Sequence, residues 1–397
     1  MSSTENPEIT AEFITSLSQI TAQQWDAVAQ TDYPFLRHDF LYGLERTNCT
    51  TVETGWQPCH LLLRRGDALV GIMPTYLKSH SYGEYVFDWS WAEAWQSKGH
   101  SYYPKLVTAI PFTPATGPRL CTTNALSHEE AMHCAVQAVQ RFATQRNLSS
   151  WHMLFPTEQV SAQLLQAGLP RRAATQFHWF NEDYKTFDEF LATMTSRKRK
   201  SLKRERRRVQ EQSITLQTLT GDDISKQDWE TFHRFYQFTY AKRSGHGGYL
   251  SREFFLETAA GLGEQVVMVL AYREGEAIAG ALYFRSSDTL FGRYWGCEQE
   301  FDCLHFEACY YQGIEYCIEH GLSRFDPGAQ GEHKIQRGFH PVTTWSNHWI
   351  ADPDLAVAVA DFTRREEHQN EHYRQATSQL LPFRMPDNEA VPGKKPL

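Results

Sequence analysis

Several kinds of protein are excluded by what this 397-residue chain lacks. No apolar run approaches the ~20 residues that a membrane-spanning helix requires. The opening Met-Ser-Ser-Thr-Glu-Asn-Pro has neither the basic start nor the apolar core of a secretory signal, so a cytoplasmic protein is expected. The eight cysteines include no C-x-x-C pair and no zinc-ligand spacing, which argues for free thiols in a reducing compartment. There is no Gly-x-Ser-x-Gly elbow, no P-loop and no dinucleotide fingerprint. The histidines are dispersed. His333, His340 and His348 with Glu332 match no familiar ligand spacing, so no metal is assigned. A net charge of −8 excludes a general polyanion binder, and any contact with nucleic acid has to come from a local patch.

Apolar and aromatic residues are plentiful instead. A hydrophobic fraction of 41%, with 24 Phe, 18 Tyr and 11 Trp, is enough core for two domains of ordinary size. His60-Leu-Leu-Leu-Arg-Arg, the Gly66-Asp67 turn and the apolar run from Ala68 read as a hairpin, and Val267 to Phe284 reads as another. Each hairpin is followed by more strand, a long helix (127–145, then 303–320) and a further strand (150–155, then 323–326). Ser127 with Glu130, like Thr21 with Gln24, has the spacing of a capping box at a helix start. The repeated order predicts a duplicated α/β unit with mainly antiparallel sheets. The expected divisions are a first unit over 1–186, a basic and aromatic helical insertion over 187–260, a second core over 261–350, a C-terminal helix over 351–380 and a disordered tail over 381–397.

Three stretches carry chemistry. From Arg197 to Arg208 nine of twelve residues are basic, on a helix expected from Phe187 to Gln210. Arg197, Lys198, Lys200, Lys203, Arg204 and Arg207 are the candidates for holding RNA phosphate or a diphosphate-linked substrate. The ordinary alternative is a charge run paired with acidic neighbours. The aromatic block from Tyr82 to Tyr103, with Asp88 and Trp89, suits a ligand wall or simply a core. Finally, Arg324 to Pro341 sets Asp326, Gln330, Glu332, His333, Lys334 and Arg337 among Pro327, Gly328, Gly331 and Gly338. Such turn residues hold polar groups on a shaped loop.

The order of meander, long helix and strand resembles the GNAT acyltransferase fold, in which two neighbouring strands splay and the acyl donor lies in the gap. The resemblance places that gap between Thr289–Cys297 and Ser323–Asp326. A GNAT acetyltransferase carries a glycine-rich turn at the start of the intervening helix, whose N–H groups hold the coenzyme A pyrophosphate. Here Glu298, Glu300, Asp302 and Glu307 surround that place and no glycine does. Carboxylates so near would repel a dianion, which argues against acetyl-CoA as donor. Phe87-Asp-Trp with Tyr102-Tyr-Pro-Lys, Pro111-Phe-Thr-Pro-Ala-Thr-Gly-Pro-Arg-Leu and Gly328-Ala-Gln-Gly-Glu-His-Lys together resemble the bacterial FemAB-like family, over nearly the whole chain. That resemblance implies tandem GNAT-like domains related to the Fem transferases. Those enzymes move an amino acid from aminoacyl-tRNA onto a peptidoglycan precursor, and their helical insertion is thought to meet tRNA.

Acyl transfer to an amine requires a neutral amine, a polarised carbonyl and a proton for the leaving group. The candidates are His333 for proton relay, oriented by Glu332 or Asp326, and Lys334 or Arg337 for polarising the carbonyl. Arg293, Trp295, Gln330, Arg337, Asp88 and Trp89 are the substrate-binding candidates. A lysine beyond the second splayed strand has the polarising role in the Fem enzymes, and Lys334 is the nearest match. Three functions stay open: transfer from aminoacyl-tRNA, transfer from acyl-CoA through an atypical diphosphate site, and non-catalytic recognition of a cell-wall precursor or RNA.

Overall fold

A computed structural model describes residues 8–329 and 331–384. Its central strands follow from the continuous apolar runs. Val266–Arg273 is buried on both faces, as a run of Val-Val-Met-Val-Leu-Ala should be. Alternate side chains serve separate cores: Val267 and Val269 pack with Ala281 and Tyr283, whereas Met268 and Leu270 pack with Leu282 and Phe284. Each such side chain is worth about 1.5–3 kcal/mol when fully buried. The turn that joins Val266–Arg273 to Glu276–Arg285 has positive φ at both Glu274 and Gly275, the twist a tight hairpin needs. Both capping boxes expected from the sequence form, at Thr21 with Gln24 and at Ser127 with Glu130.

The same plan occurs twice. In the first half the hairpin His60–Arg65 and Ala68–Met73 leads through Thr75–Lys78 to Lys105–Thr108, then to the helix His128–Gln145. Ser150–Leu154 returns parallel to Lys105–Thr108. In the second half Thr289–Cys297 is followed by a helical run from Leu304 to Glu319, and Arg324–Asp326 returns parallel to it. This is the tandem GNAT-like architecture, and the halves are interlocked. In the eleven-stranded sheet the order is Ile214–Thr220, Val266–Arg273, Glu276–Arg285, Thr289–Cys297, Arg324–Asp326, Arg171–Phe180, His340–Ile350, Ser150–Leu154, Lys105–Thr108, Thr75–Lys78 and Trp56–Pro58. Arg171–Phe180 therefore leaves the first half to pair beside the second half's parallel pair, and His340–Ile350 makes the reverse exchange. Ile9–Ile14, His60–Arg65, Ala68–Met73 and Cys121–Thr122 form a separate four-stranded sheet.

The stretch 187–260 contributes helices Phe187–Thr193, Ser196–Glu211 and Lys226–Ser244, and also the edge strand Ile214–Thr220. Helix Lys226–Ser244 lies directly on the sheet. A Cβ on Gly296 would sit 2.2 Å from the Phe235 carbonyl carbon, so glycine is what permits the approach. Helix Pro353–Ser378, capped by Asp352, packs across Arg171–Phe180 and His340–Ile350. Phe383 beyond it bridges to Met194, and the remainder of the expected tail, 385–397, lies outside the described residues. Among the described residues no helix is long and apolar enough to cross a membrane.

Candidate active site

The two parallel strands of the second half pair only at Thr289–Phe291 with Arg324–Asp326. Past that point Thr289–Cys297 runs on, while the chain after Asp326 turns away at Pro327 and Gly328. Gly328 has φ +93°, a conformation that resists any side chain. Gly292 stands in the crotch of the fork, where a Cβ would lie 3.3 Å from both Phe325 and Pro327. A cavity of about 370 Å³ opens there, walled by aromatic residues that include Tyr85, Phe112, Tyr240, Tyr249, Tyr294 and Trp295.

Beneath the fork sits a buried ion pair. Arg293 Nη2 donates to Asp326 Oδ2 at 2.7 Å and Nη1 to Oδ1 at 3.3 Å, and neither side chain is more than 2% exposed. The Gly328 N–H adds a third bond to Oδ1 at 2.9 Å. Burial alone would raise the Asp326 carboxyl, but the adjacent guanidinium and these hydrogen bonds override it and hold the group well below the usual carboxylate range. His178 Nε2 approaches Asp326 at 3.6 Å, too far for a hydrogen bond. Burial pushes this imidazole down to about 4, so at neutral pH it is uncharged and the contact is no ion pair.

Lys334 comes up from the short helical turn Glu332–Arg337. It is 1% exposed, lines the cavity, and donates from Nζ to the Gly328 carbonyl at 2.5 Å. Burial lowers its amine to about 7, with Arg293 pushing the same way and Asp326 opposing. His333 is absent from the cavity lining and touches it through Tyr310, whose Oη shares a hydrogen bond with its Nε2 at 2.9 Å. Desolvation, then Arg337 and Lys334, press it to about 4, which leaves a neutral and weak base. Neither expected carboxylate reaches His333: Glu332 accepts a hydrogen bond from Tyr373 at 2.5 Å, and Asp326 is committed to Arg293. Arg337 is also turned elsewhere, donating to Glu205 at 2.8 Å, to Tyr311 at 3.1 Å and to the His333 carbonyl at 2.8 Å. Its guanidinium covers the Phe306 ring at 3.5 Å. Arg293 and Trp295 do line the cavity, whereas Gln330 lies outside the described residues.

Asp88 and Trp89 belong to the first half, away from that cavity. Asp88 is 3% exposed and is bound by Lys105 and by Tyr102 Oη at 2.7 Å. Lys105 also donates to Glu84 and Ser81, each at 2.8 Å. Trp89 lies partly exposed against Tyr82. A second cavity of about 260 Å³ shares Tyr85 and Ala329 with the first and runs over Arg172–Gln176 and Thr344–Ser346.

The basic helix is sorted by face. Arg206 is clamped between Glu307 and Glu315 at 2.6–3.2 Å, Lys198 donates to Gln336, and Lys203 pairs with Asp188 at 2.8 Å. Arg197, Lys200, Arg204 and Arg207 are exposed and have no carboxylate partner among the described residues. Their spacing of three, four and three puts them on one face. The acidic ring thought to repel a diphosphate is itself neutralised: Glu298 pairs with Arg234, Glu300 with Lys242, Asp302 with Arg208 and Glu307 with Arg206. The electrostatic case against coenzyme A therefore loses its force, while the missing glycine turn remains.

Several cavity residues had no site role in the sequence reading. His305, Tyr310 and Cys309 come from helix positions that read as ordinary and Arg243 ends another helix, while Tyr85, Phe112 and Pro114 belong to the aromatic block and the Pro111 motif of the first half, whose arrival at this fork no local pattern announced. Burial raises the Cys309 thiol, so it is no thiolate at neutral pH. No group of histidines, cysteines and carboxylates among the described residues could hold a metal ion.

Comparison with known proteins agrees with this fold. A family model described as FemAB-like, peptidoglycan biosynthesis/recognition, matches residues 16–385. No curated protein matches the chain by sequence. Among solved structures, FemX superposes over 86% of this chain and 98% of its own, at 13% identity and a TM-score of 0.50. The C-terminal domain of a putative lysylphosphatidylglycerol synthetase from Agrobacterium fabrum covers 88% of this chain and 97% of its own, at 9% identity and a TM-score of 0.53. Both are similar in fold. A tandem GNAT protein of the clavulanic acid pathway covers 87% and 99%, at 10% identity and a TM-score of 0.47.

Proposed function

The chain belongs to the FemAB-like family, and from that premise we propose that it transfers an acyl or aminoacyl group to an amine at the fork of the second half. One observation carries the reading: a buried lysine, lowered to about 7, opens into a cavity where two parallel strands part. At neutral pH such an amine is close to half protonated, so it can both accept and return a proton. As the substrate nitrogen bonds to the acyl carbon it loses a proton to neutral Lys334. The resulting ammonium stabilises the developing oxyanion and then protonates the departing oxygen or sulfur as its bond to that carbon breaks. Arg293 and Asp326 act as positioning residues for the loop, through Gly328. His333, pressed to about 4, is a weaker proton acceptor than Lys334.

The second cavity suits a two-substrate reaction. Donor and acceptor entering from the two sides would meet at Tyr85 and Ala329. The exposed row Arg197, Lys200, Arg204 and Arg207 favours a donor carried on tRNA, with a peptidoglycan precursor as acceptor by analogy with the family. The acyl-CoA alternative is supported by the paired state of Glu298, Glu300, Asp302 and Glu307. The test offers the protein aminoacyl-tRNA and acetyl-CoA in parallel, with a peptidoglycan precursor and simple amines as acceptors. Transfer from one donor, falling roughly 100-fold or more in Lys334→Ala, is expected. Full biological activity in Lys334→Ala and in His333→Ala would favour a recognition module instead.

A further inference from the structure

We infer that the cavity at the fork is an anion site, in which Arg243 selects a ligand bearing a phosphate or a carboxylate. This deepens the transfer reading by naming a group its substrate must carry. Among the described residues the cavity is lined by three basic side chains, Arg243, Arg293 and Lys334, and by no aspartate or glutamate. Arg293 is balanced by Asp326 behind it. Arg243 has no direct ion-pair partner among the described residues: it is exposed at the end of helix Lys226–Ser244, and Glu300, the carboxylate that feels its charge, is engaged elsewhere. Its neighbour Lys242, in contrast, is paired with Glu300 at 2.6 Å.

A cation in the last turn of a helix is favoured anywhere by the helix dipole, and that would explain Arg243 on a bare surface. It does not explain why the side chain faces a cavity that already holds two other cations. The charge is felt across that space, where it lowers His305 and opposes the rise of Tyr310 and Cys309. Among the described residues Arg293 Nε–H has no partner, a buried donor that a ligand oxygen would satisfy. A protonated amine entering here meets Arg243 and no carboxylate in the described lining, whereas an anion meets the donors of Arg243, Arg293 and Lys334, and a guanidinium suits both phosphate and carboxylate.

The test measures binding without turnover, in full-length protein carrying Arg197→Ser, Lys200→Ser, Arg204→Ser and Arg207→Ser, so that the exposed helix cannot contribute. Calorimetric titrations with pyrophosphate, succinate and cadaverine at low salt are compared before and after adding Arg243→Glu, with Arg243→Lys as the conservative control. Saturable binding of an anion that weakens about tenfold or more in Arg243→Glu, and largely returns in Arg243→Lys, is expected. Pyrophosphate alone binding identifies a phosphate ligand, and succinate alone a carboxylate. The inference is overturned if neither anion binds, if Arg243→Glu changes nothing, or if cadaverine binds more tightly than both. Since no acyl transfer is read, such a failure leaves the role of Lys334 to its own assay.

Discussion

Lys334→Met should yield a protein that is more stable and, by the proposed chemistry, inactive. Burial takes the lysine amine from its ordinary 10.5 to about 7, so the unfolded chain holds a proton there over a pH range in which the folded chain does not. Between those values the unfolded state binds more protons, so stability rises with pH across the window. At and below about pH 7 the full penalty is present, and toward about pH 10 it fades. At about 1.4 kcal/mol for each tenfold change in proton affinity, the penalty at neutral pH is on the order of 4 kcal/mol. The hydrogen bond to the Gly328 carbonyl returns about 1–2 kcal/mol of it. Methionine keeps an unbranched stem of similar length without the charge. The variant should therefore gain on the order of 2–3 kcal/mol near pH 7, and the gain should shrink at about pH 9.5. Urea unfolding of both proteins at the two pH values, followed by tryptophan fluorescence, measures this. A variant less stable than the parent at neutral pH, or a gap that does not change with pH, would refute the electrostatics assigned to the site.

The Arg293–Asp326 pair should behave in the opposite way. Arg293→Met strands a carboxylate that is 1% exposed, and a loss of roughly 3–5 kcal/mol is expected in the same unfolding measurement. In the parent, Asp326 contributes stability that is complete above about pH 4 and is lost as the pH falls further; in the variant the stranded carboxylate is a penalty at neutral pH that protonation relieves, so this acid loss should disappear, as an acid titration of ellipticity would show. Replacing Arg197, Lys200, Arg204 and Arg207 with serine should weaken tRNA retention. It should also flatten the dependence of affinity on salt by about 0.7–0.9 for each phosphate contact removed. Filter binding at several salt concentrations reads this, and an unchanged slope would remove the helix from RNA recognition.

Much of the fold was legible because its signals are local. The capping boxes at Thr21 and Ser127, the two hairpins and the two long helices each rest on residues three or four apart, or on alternation along one strand. The duplication could be read because both halves repeat that local order. The exchange of Arg171–Phe180 and His340–Ile350 between halves could not, since pairing partners 170 residues apart leave no mark within either strand. At the site, the loop after Asp326 was visible through its glycines and its density of polar groups. Which of those groups face the cavity was not, and of the four polar candidates on the loop's helical turn the fold turns Lys334 inward, sets His333 behind Tyr310 and ties Glu332 and Arg337 to other partners.

By itself the sequence determined the local conformation, the amount of core, the basic face and the presence of a polar loop behind a strand, because each of these depends on near neighbours and on composition. Only the tertiary structure decided the chemistry. Burial, with the Arg293 charge acting in the same direction, makes the Lys334 amine titratable near neutrality, and ion pairs formed across the fold neutralise the carboxylates at 298–307. A pKa and a field are sums over everything within a few ångströms, and those neighbours lie as far apart in the chain as Arg206 and Lys334.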